Sequence, residues 1–407
     1  MFVFFFVGLG LFFLLYGVLV CFFLDCFFVS LKINFYVNSF LFSFVLFMVT
    51  FCVLIFCYYY IEGEINISYF LLIFIVFVLS MFFLNFRRGI FSILVSWDIL
   101  GISSFFLVLF YNNIDRCSGA IHTVLTNRVG DFFLFIFFCF FIFSSMSFFL
   151  LSCCYFTGWF FLVLAGFTKR AQFPFRGWLP KAMSAPTPVS ALVHRRTLVT
   201  AGLILIIGFD IVFFSKSFVI MIFFGGLFTM IFSSFCALFE QDIKKVVALS
   251  TLSQMGFAML CFGLGLYFVS LVHLVRHALF KSCLFIQVGV FIHSYFGQQD
   301  ARSYNNLGGG LFFIQLQMVI TLFCLCGLFF TIGAVTKDFI LEFFFYNFGS
   351  VLVGFMFFFG VFLTFVYRIR LFFSVLSSFS VGCVDLHVGF LMGLFSFFLV
   401  CFSVFGL

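Results

Sequence analysis

Three titratable residues recur at a spacing of four in this 407-residue sequence: His273, His277 and Lys281. Residues four apart stack along one face of a helix, so these side chains would form a line. A line of proton-binding groups through an apolar helix is what a proton relay requires. A zinc site is the weaker alternative, because Leu274 stands where the metalloprotease motif has its glutamate, and we expect no bound metal.

Other ionisable residues lie in or beside apolar stretches, where a charge costs at least about 2.5–3.5 kcal/mol. Asp98 lies within one stretch, although a carboxylate in water at a helix end is the alternative interpretation. Lys169 ends another, and a lysine buried there can exchange protons near neutral pH. His194 titrates near physiological pH, although a lone histidine is more often structural. Arg128 and Asp131 can pair on one helix face, in a structural or a functional role.

All four prolines follow Lys169 within 15 residues, at Pro174, Pro180, Pro186 and Pro188. Proline removes a backbone donor and clashes with the preceding turn, so this window cannot be one regular helix. Broken helix at membrane depth is tolerated only where it is buried in protein or lines a wet cavity. The window therefore predicts a functional hinge or an ion site.

A second interruption is expected between Gly327 and Gly333, where glycines divide an apolar run. It is followed by Lys337 and Asp338, which add a second lysine to the candidate relay. Two interrupted helices in corresponding halves are typical of transporters built from inverted repeats.

The elements that position these residues must be membrane helices. The chain is 66% hydrophobic and 8% charged, whereas soluble domains are about 25% charged. This composition excludes a soluble globule, a disordered chain and a nucleic-acid binder. At roughly 20 apolar residues per crossing, we expect an all-α polytopic membrane protein with about 14 helices, one of them over 129–152.

We divide the chain into N-terminal helices (1–85), a core (86–375) and a C-terminal helix (376–407). Asp242, Lys244 and Lys245 stand at a helix entrance, and we expect all three to be interfacial. The 15 cysteines lie scattered in apolar runs and are interpreted as small core residues. No nucleotide-binding loop or redox-centre motif occurs, so the chain moves charge without visible electron chemistry.

Several long stretches together resemble the antiporter-like subunit 5 family of mitochondrial respiratory complex I (NADH dehydrogenase). The resemblance is to nematode-like members of this family. The 85 phenylalanines agree with a skewed organellar genome. The resemblance runs from about residue 60 to 375. The matching stretches are SWDILGISSFFLVLFYNN (96–113), TNRVGD (126–131), AQFPFRGWLPKAMSAPTPVSALVH (171–194), QDIKKVVALSTLSQMGF (241–257), HLVRHALFKSCLF (273–285) and VTKDFILE (335–342).

The resemblance implies two inverted five-helix repeats, each with one broken helix. It implies that Asp98 replaces a glutamate in the first half-channel, with Lys169 as its partner and His194 as the connecting histidine. Because aspartate is one methylene shorter than glutamate, the distance from the Asp98 carboxylate to Lys169 would differ from that in the family. The central relay would be His273, His277 and Lys281, with Lys337 facing the exit beside Asp338.

The implied function is proton translocation across the mitochondrial inner membrane, coupled to NADH:ubiquinone electron transfer. NADH, FMN, iron–sulfur clusters and ubiquinone would be bound by other subunits, and none by this one. Implied partners are the lipid bilayer and other membrane-arm subunits, especially antiporter-like subunit 4, and no nucleic acid. A subunit of a free-standing cation/proton antiporter is the alternative. Family members usually continue into a lateral helix and a final span, so we expect a fragment or an early end to the gene model.

Nine arginines stand where members of this family commonly have serine or another small residue. Three of them, Arg195, Arg196 and Arg276, would together cost roughly 8–10 kcal/mol near the middle of a membrane. Invertebrate mitochondria read AGA and AGG as serine, so we hypothesise that these positions are serine in the native protein. The nine positions are Arg87, Arg88, Arg116, Arg170, Arg176, Arg195, Arg196, Arg276 and Arg368.

Mass spectrometry of the purified subunit tests this hypothesis. Trypsin cuts after arginine, so uncut peptides with masses that fit serine are expected at all nine positions. Cleavage should persist after Arg128, Arg302 and Arg370, which serve as internal controls. Peptides that end at Arg195 or Arg276 would refute the idea.

Overall fold

The computed structural model describes most of the chain between residues 23 and 376. The described ranges are 23–26, 29–32, 37–86, 90–111, 113–146, 151–192, 198–208, 216–295, 297–303, 312–327, 332–347 and 351–376, together with residues 393, 396–397 and 400–401. The apolar stretch from Met1 to Val20 and most of the 376–407 segment lie outside them. The division into three parts stays a prediction.

Fourteen α-helices occur in the described residues. The first eight are α1 (Val37–Tyr60), α2 (Ile67–Asn85), α3 (Ile90–Val108), α4 (Ile114–Met146), α5 (Leu151–Lys169), α6 (Trp178–Ala182), α7 (Thr187–Leu192) and α8 (Leu198–Gly208). The other six are α9 (Lys216–Phe239), α10 (Ile243–Gly263), α11 (Tyr267–Ser294), α12 (Phe312–Cys326), α13 (Ile332–Asn347) and α14 (Val351–Leu376). Two short strands, β1 (Phe23–Cys26) and β2 (Val29–Lys32), form an antiparallel hairpin before α1.

The prediction of an α-helical polytopic membrane protein is confirmed, and the helix number matches the 14 expected. Eight helices in the described ranges are long and apolar enough to cross a membrane: α1 to α4, α9 to α11, and α14. The hairpin of β1 and β2 was not predicted.

The helix α10 forms the centre of the bundle. Every residue from Ile243 to Gly263 is buried except Lys245. The helix packs against α9, α11, α14 and the short α6. A helix surrounded in this way is positioned to hold polar groups away from lipid.

Glycines bring the backbones of α9 and α10 into contact. A methyl group added at Gly256 would lie 2.8 Å from the carbonyl oxygen of Gly226, and one added at Gly263 would lie 2.7 Å from the Cα of Phe223. Membrane helices have little hydrophobic drive to associate, so close approach through small residues stabilises the pair.

The helix α4 has its polar face inside and its apolar face outside. Thr123, Asn127 and Asp131 are buried, whereas Leu125 and Phe132 are exposed. The helix begins at Ile114, well before the predicted 129–152 stretch. The inward polar residues explain the difference, because they lower the apolar content by which a span is recognised.

We predict that Gly256→Ala destabilises the bundle, because the added methyl group would collide with the backbone of α9. Overpacking of this kind costs about 1–3 kcal/mol. The matched control is Gly354→Ala in α14, where an added methyl group meets no atom within 4 Å. The temperature of thermal inactivation of the solubilised protein should be lower for Gly256→Ala and unchanged for Gly354→Ala. Equal curves for the two variants would contradict the packing account.

Candidate functional site

The helix α5 ends at Lys169 through a left-handed cap. Ala171 has a φ of 52°, the backbone N–H of Gln172 donates to the carbonyl of Phe167 at 2.9 Å, and that of Ala171 donates to the carbonyl of Thr168 at 3.3 Å. This is the Schellman arrangement, usually formed by glycine. Alanine in this conformation costs roughly 1–2 kcal/mol, so the surrounding packing must hold it.

Hydrogen bonds fix the segment after this break. The indole Nε1 of Trp178 donates to the carbonyl of Thr168 at 3.0 Å, which ties the proline window back to the end of α5. The hydroxyl of Thr229 donates to the Oε1 of Gln172 at 2.5 Å, which joins the window to α9. The first break thus lies where the prolines predicted it, and these two hydrogen bonds tie it to α5 and α9.

The two lysines at the start of α10 have different environments. Lys245 pairs with Asp242 at the entrance of the helix, as expected. Lys244 is buried and donates to the carbonyl of Ala185. The prediction that Lys244 is interfacial was therefore wrong, because α10 turns this side chain inward, where it holds the proline window.

Lys169 is fully buried. Its Nζ lies 3.6 Å from the Oδ1 of Asp131 and 4.7 Å from the centroid of the Trp97 ring. The carboxylate and the ring face both favour the ammonium form. A buried lysine with one carboxylate partner is a group whose proton depends on that partner.

Arg128 links this pair to Asp98. Its NH1 lies 3.3 Å from the Oδ2 of Asp131 and 3.4 Å from the Oδ1 of Asp98. The exposed side-chain fractions are 7% for Asp131, 38% for Asp98 and 52% for Arg128. The four charges therefore form a chain from the surface of the subunit to Lys169.

Asp131 is the residue that sequence reasoning left out of the relay. The structure places Asp131, and not Asp98, against Lys169. The spacing of Arg128 and Asp131 gave the signal for their pairing, but only the contact between α4 and α5 shows the third partner.

The second group of titratable residues lies on α11. His273, His277 and Lys281 occupy one buried face, as their spacing predicts, and the two imidazole rings are 6.2 Å apart. The Nζ of Lys281 donates to the hydroxyl of Ser250 on α10 at 2.5 Å. The Nδ1 of His273 lies 3.5 Å from the hydroxyl of Thr336 on α13, so this face connects α10 to α13.

The helix α12 ends where the second break was predicted. Gly327 has a φ of 72°, and its N–H donates to the carbonyl of Phe323 at 3.1 Å. Glycine adopts this left-handed conformation without a Cβ clash, so the helix can stop here. The next helix, α13, begins at Ile332.

Lys337 caps the end of the broken helix α12. Its Nζ donates to the carbonyl of Leu325, which also accepts a hydrogen bond from Arg368. Cations near the C-terminus of a helix interact favourably with its dipole. Asp338, the next residue along α13, is exposed, so the structure does not bring it into this group.

A cavity joins the relay face of α11 to the second break. Its lining includes Gln254, His273, His277, Thr336 and Lys337. The cavity thus puts imidazole, amide, hydroxyl and ammonium groups from three helices around one space. In the described part of the chain, no three His, Cys, Asp or Glu residues come together as metal ligands.

His194, Arg195 and Arg196 lie outside the described residues. Two other arginines of the serine hypothesis are buried: Arg170 is 0% exposed and Arg368 is 2% exposed. Neither forms an ion pair with a carboxylate in the described ranges, and the NH2 of Arg170 contacts the sulfur of Met255 at 3.7 Å. This setting is unfavourable for a guanidinium and agrees with the hypothesis.

Comparisons with solved structures show the same fold. One similar chain belongs to the Mrp complex from Dietzia sp., with a TM-score of 0.82 and 21% identity over 97% of this chain and 46% of that one. Another belongs to the archaeal membrane-bound sulfane sulfur reductase, a respiratory membrane complex, with a TM-score of 0.84 and 18% identity. It covers 98% of this chain and 86% of that one.

Sequence comparisons define the family. Residues 88–364 match the model described as NADH:quinone oxidoreductase/Mrp antiporter, TM. NADH-ubiquinone oxidoreductase chain 5 of Ascaris suum is 59% identical over 94% of this chain and 70% of its own length. The chain 5 protein of Caenorhabditis elegans is 58% identical over 94% of this chain and 73% of its own length. The chain therefore belongs to the family of NADH-ubiquinone oxidoreductase chain 5 proteins.

Proposed function

We propose that this chain translocates protons as an antiporter-like membrane subunit of respiratory complex I in the mitochondrial inner membrane. NADH oxidation and ubiquinone reduction would occur in other subunits, which would bind NADH, FMN, iron–sulfur clusters and ubiquinone. The observation that carries the proposal is the fully buried Lys169, paired with Asp131 beside a helix break.

Burial makes the proton on Lys169 sensitive to its surroundings. At an effective dielectric constant near 20, charges about 4 Å apart interact by roughly 4 kcal/mol. Movement of the Asp131 carboxylate away from Lys169 would remove stabilisation of this order from the ammonium form. The proton would then be released towards the connecting residues, for which His194 is our candidate.

Arg128 gives the pair a means of control. Asp131 lies at similar distances from Arg128 and from Lys169, 3.3 and 3.6 Å. Stronger attraction of Arg128 to Asp98 would free Asp131 to pair fully with Lys169, and weaker attraction would draw Asp131 towards the guanidinium. A charge change near Asp98 would in this way reach the buried lysine.

The α11 residues and the second break would carry the proton onward. His273, His277 and Lys281 line one buried face, and the cavity beside it reaches Lys337. Lys337 holds the free carbonyl at the end of α12, so its charge is tied to the position of a broken helix. We assign Lys337 to the exit side and Asp338, which is exposed, to its outer neighbour.

The partner surface proposed for this subunit includes Asp98 and Arg128. Both side chains are exposed on helices that cross the membrane, and lipid tails are an unfavourable environment for them. A protein partner with polar groups would cover this face. We propose that antiporter-like subunit 4 occupies it and delivers the charge change from the rest of the complex.

A subunit of a free-standing cation/proton antiporter is the second candidate. The fold similarity to the Mrp complex favours it, but at 21% identity this similarity concerns the fold alone. The 58–59% identity to chain 5 proteins favours the complex I role. Co-purification with a NADH-oxidising assembly would decide between the two.

We predict that the double variant Lys169→Met/Asp131→Asn assembles but pumps fewer protons per electron. Removal of one partner from a buried ion pair costs about 3–5 kcal/mol. The single Lys169→Met variant, in contrast to the double variant, should therefore assemble poorly. The double variant leaves no unpaired charge, because Arg128 keeps Asp98 as its partner. The purified complex in liposomes should show a lower proton-to-electron ratio and slower coupled NADH oxidation.

The control is Lys245→Met, which removes an exposed lysine paired with Asp242. Exposed ion pairs contribute about 0–1 kcal/mol, so assembly and pumping should stay at the level of the unmodified complex. A normal proton-to-electron ratio in the double variant would sink the proposed role of Lys169.

A further inference from the structure

The buried face of α4 carries a ladder of polar side chains that ends at the first ion pair. Thr123, Asn127 and Asp131 are spaced four apart, and all three are at least 95% buried. Residues four apart lie one above the other, about 6 Å along the helix. The ladder therefore leads along α4 to the carboxylate that pairs with Lys169.

Asn127 is the member of the ladder that has no protein partner. Within the described part of the chain, neither its Nδ2 nor its Oδ1 has a hydrogen-bond partner, although the residue is 2% exposed. Burial of an amide without partners is strongly unfavourable. Water is the small molecule that can accept from Nδ2 and donate to Oδ1, so the side chain has the chemistry of a water site.

The outer end of the ladder lies beside two exposed titratable groups. The Nζ of Lys181 lies 2.6 Å from the Nε2 of His122, the residue before Thr123. Gly119 allows α4 and α6 to approach closely here. A methyl group added at this position would lie 2.7 Å from the carbonyl oxygen of Lys181. Nine residues of helix, about 14 Å, separate His122 from Asp131.

We propose that Asn127 holds water that conducts protons from His122 of α4 and Lys181 of α6 to Asp131. This role deepens the proposed function, on which it rests, by naming the uptake route of the first ion pair. In each step one water O–H bond breaks and one forms on the next oxygen, so the proton advances and the amide is unchanged. Thr123 supports the route, because its hydroxyl donates to the carbonyl of Ala120 and keeps a lone pair for water.

The test is Asn127→Leu, which keeps the size of the side chain and removes both polar groups. We expect a complex that assembles normally, with a severalfold slower coupled NADH oxidation and a lower proton-to-electron ratio in liposomes. We also expect a larger solvent deuterium isotope effect. Asn127→Ser, which retains a group that binds water, should restore most of the activity. The control is Leu125→Ala on the exposed face of the same helix.

Thr123→Val provides an independent test that does not depend on the folding of Asn127→Leu, because it only replaces a hydroxyl group with a methyl group of similar size. It should slow coupled oxidation in the same direction. Unchanged pumping and isotope effect in assembled Asn127→Leu or Thr123→Val would overturn the water route. If the Lys169→Met/Asp131→Asn variant is impaired in that case, the proposed function stands without this route. If that variant also pumps normally, the proposed function fails as well.

Discussion

Burial of ionised side chains among membrane helices is the constraint on which the rest of the structure depends. A charge in this environment needs a counter-charge, a free backbone carbonyl or water. The described residues show the first two solutions: Lys169 pairs with a carboxylate, whereas Lys244 and Lys337 donate to carbonyls left free by interrupted helices. The helix breaks are therefore inseparable from these lysines, because each break exposes carbonyls that a cation can cap.

The central helix α10 connects these solutions. Its Lys244 holds the proline window, its Ser250 accepts from Lys281, and its Gln254 lines the cavity that reaches Lys337. A single rigid element thus touches both breaks and the relay face. Glycines allow the backbones of α9 and α10 to pack in direct contact. A displacement at one helix break would therefore be resisted by these two helices or transmitted through them.

Much of this arrangement follows from the sequence. The proline window and Gly327 predicted both breaks, and the spacing of His273, His277 and Lys281 predicted their common face. Three features depended on tertiary contacts. The helix α5 ends at Lys169 because Ala171 adopts the left-handed conformation, and alanine gives no signal in the sequence for such a cap. Lys244 and Lys245 are adjacent and chemically identical, so only the packing of α10 decides which one is buried. The pairing of Asp131 with Lys169 depends on the contact between α4 and α5, whereas its pairing with Arg128 is predicted by their spacing in the sequence.

The central claim is that a charge at the surface of the subunit controls the proton on Lys169 through Arg128 and Asp131. The most direct measurement is the proton-to-electron ratio of the reconstituted complex with Arg128→Gln, which keeps a polar side chain and removes the connecting charge. The account predicts normal assembly, because the residue is half exposed, together with continued NADH oxidation and a lower ratio. A ratio equal to that of the unmodified complex would contradict the account.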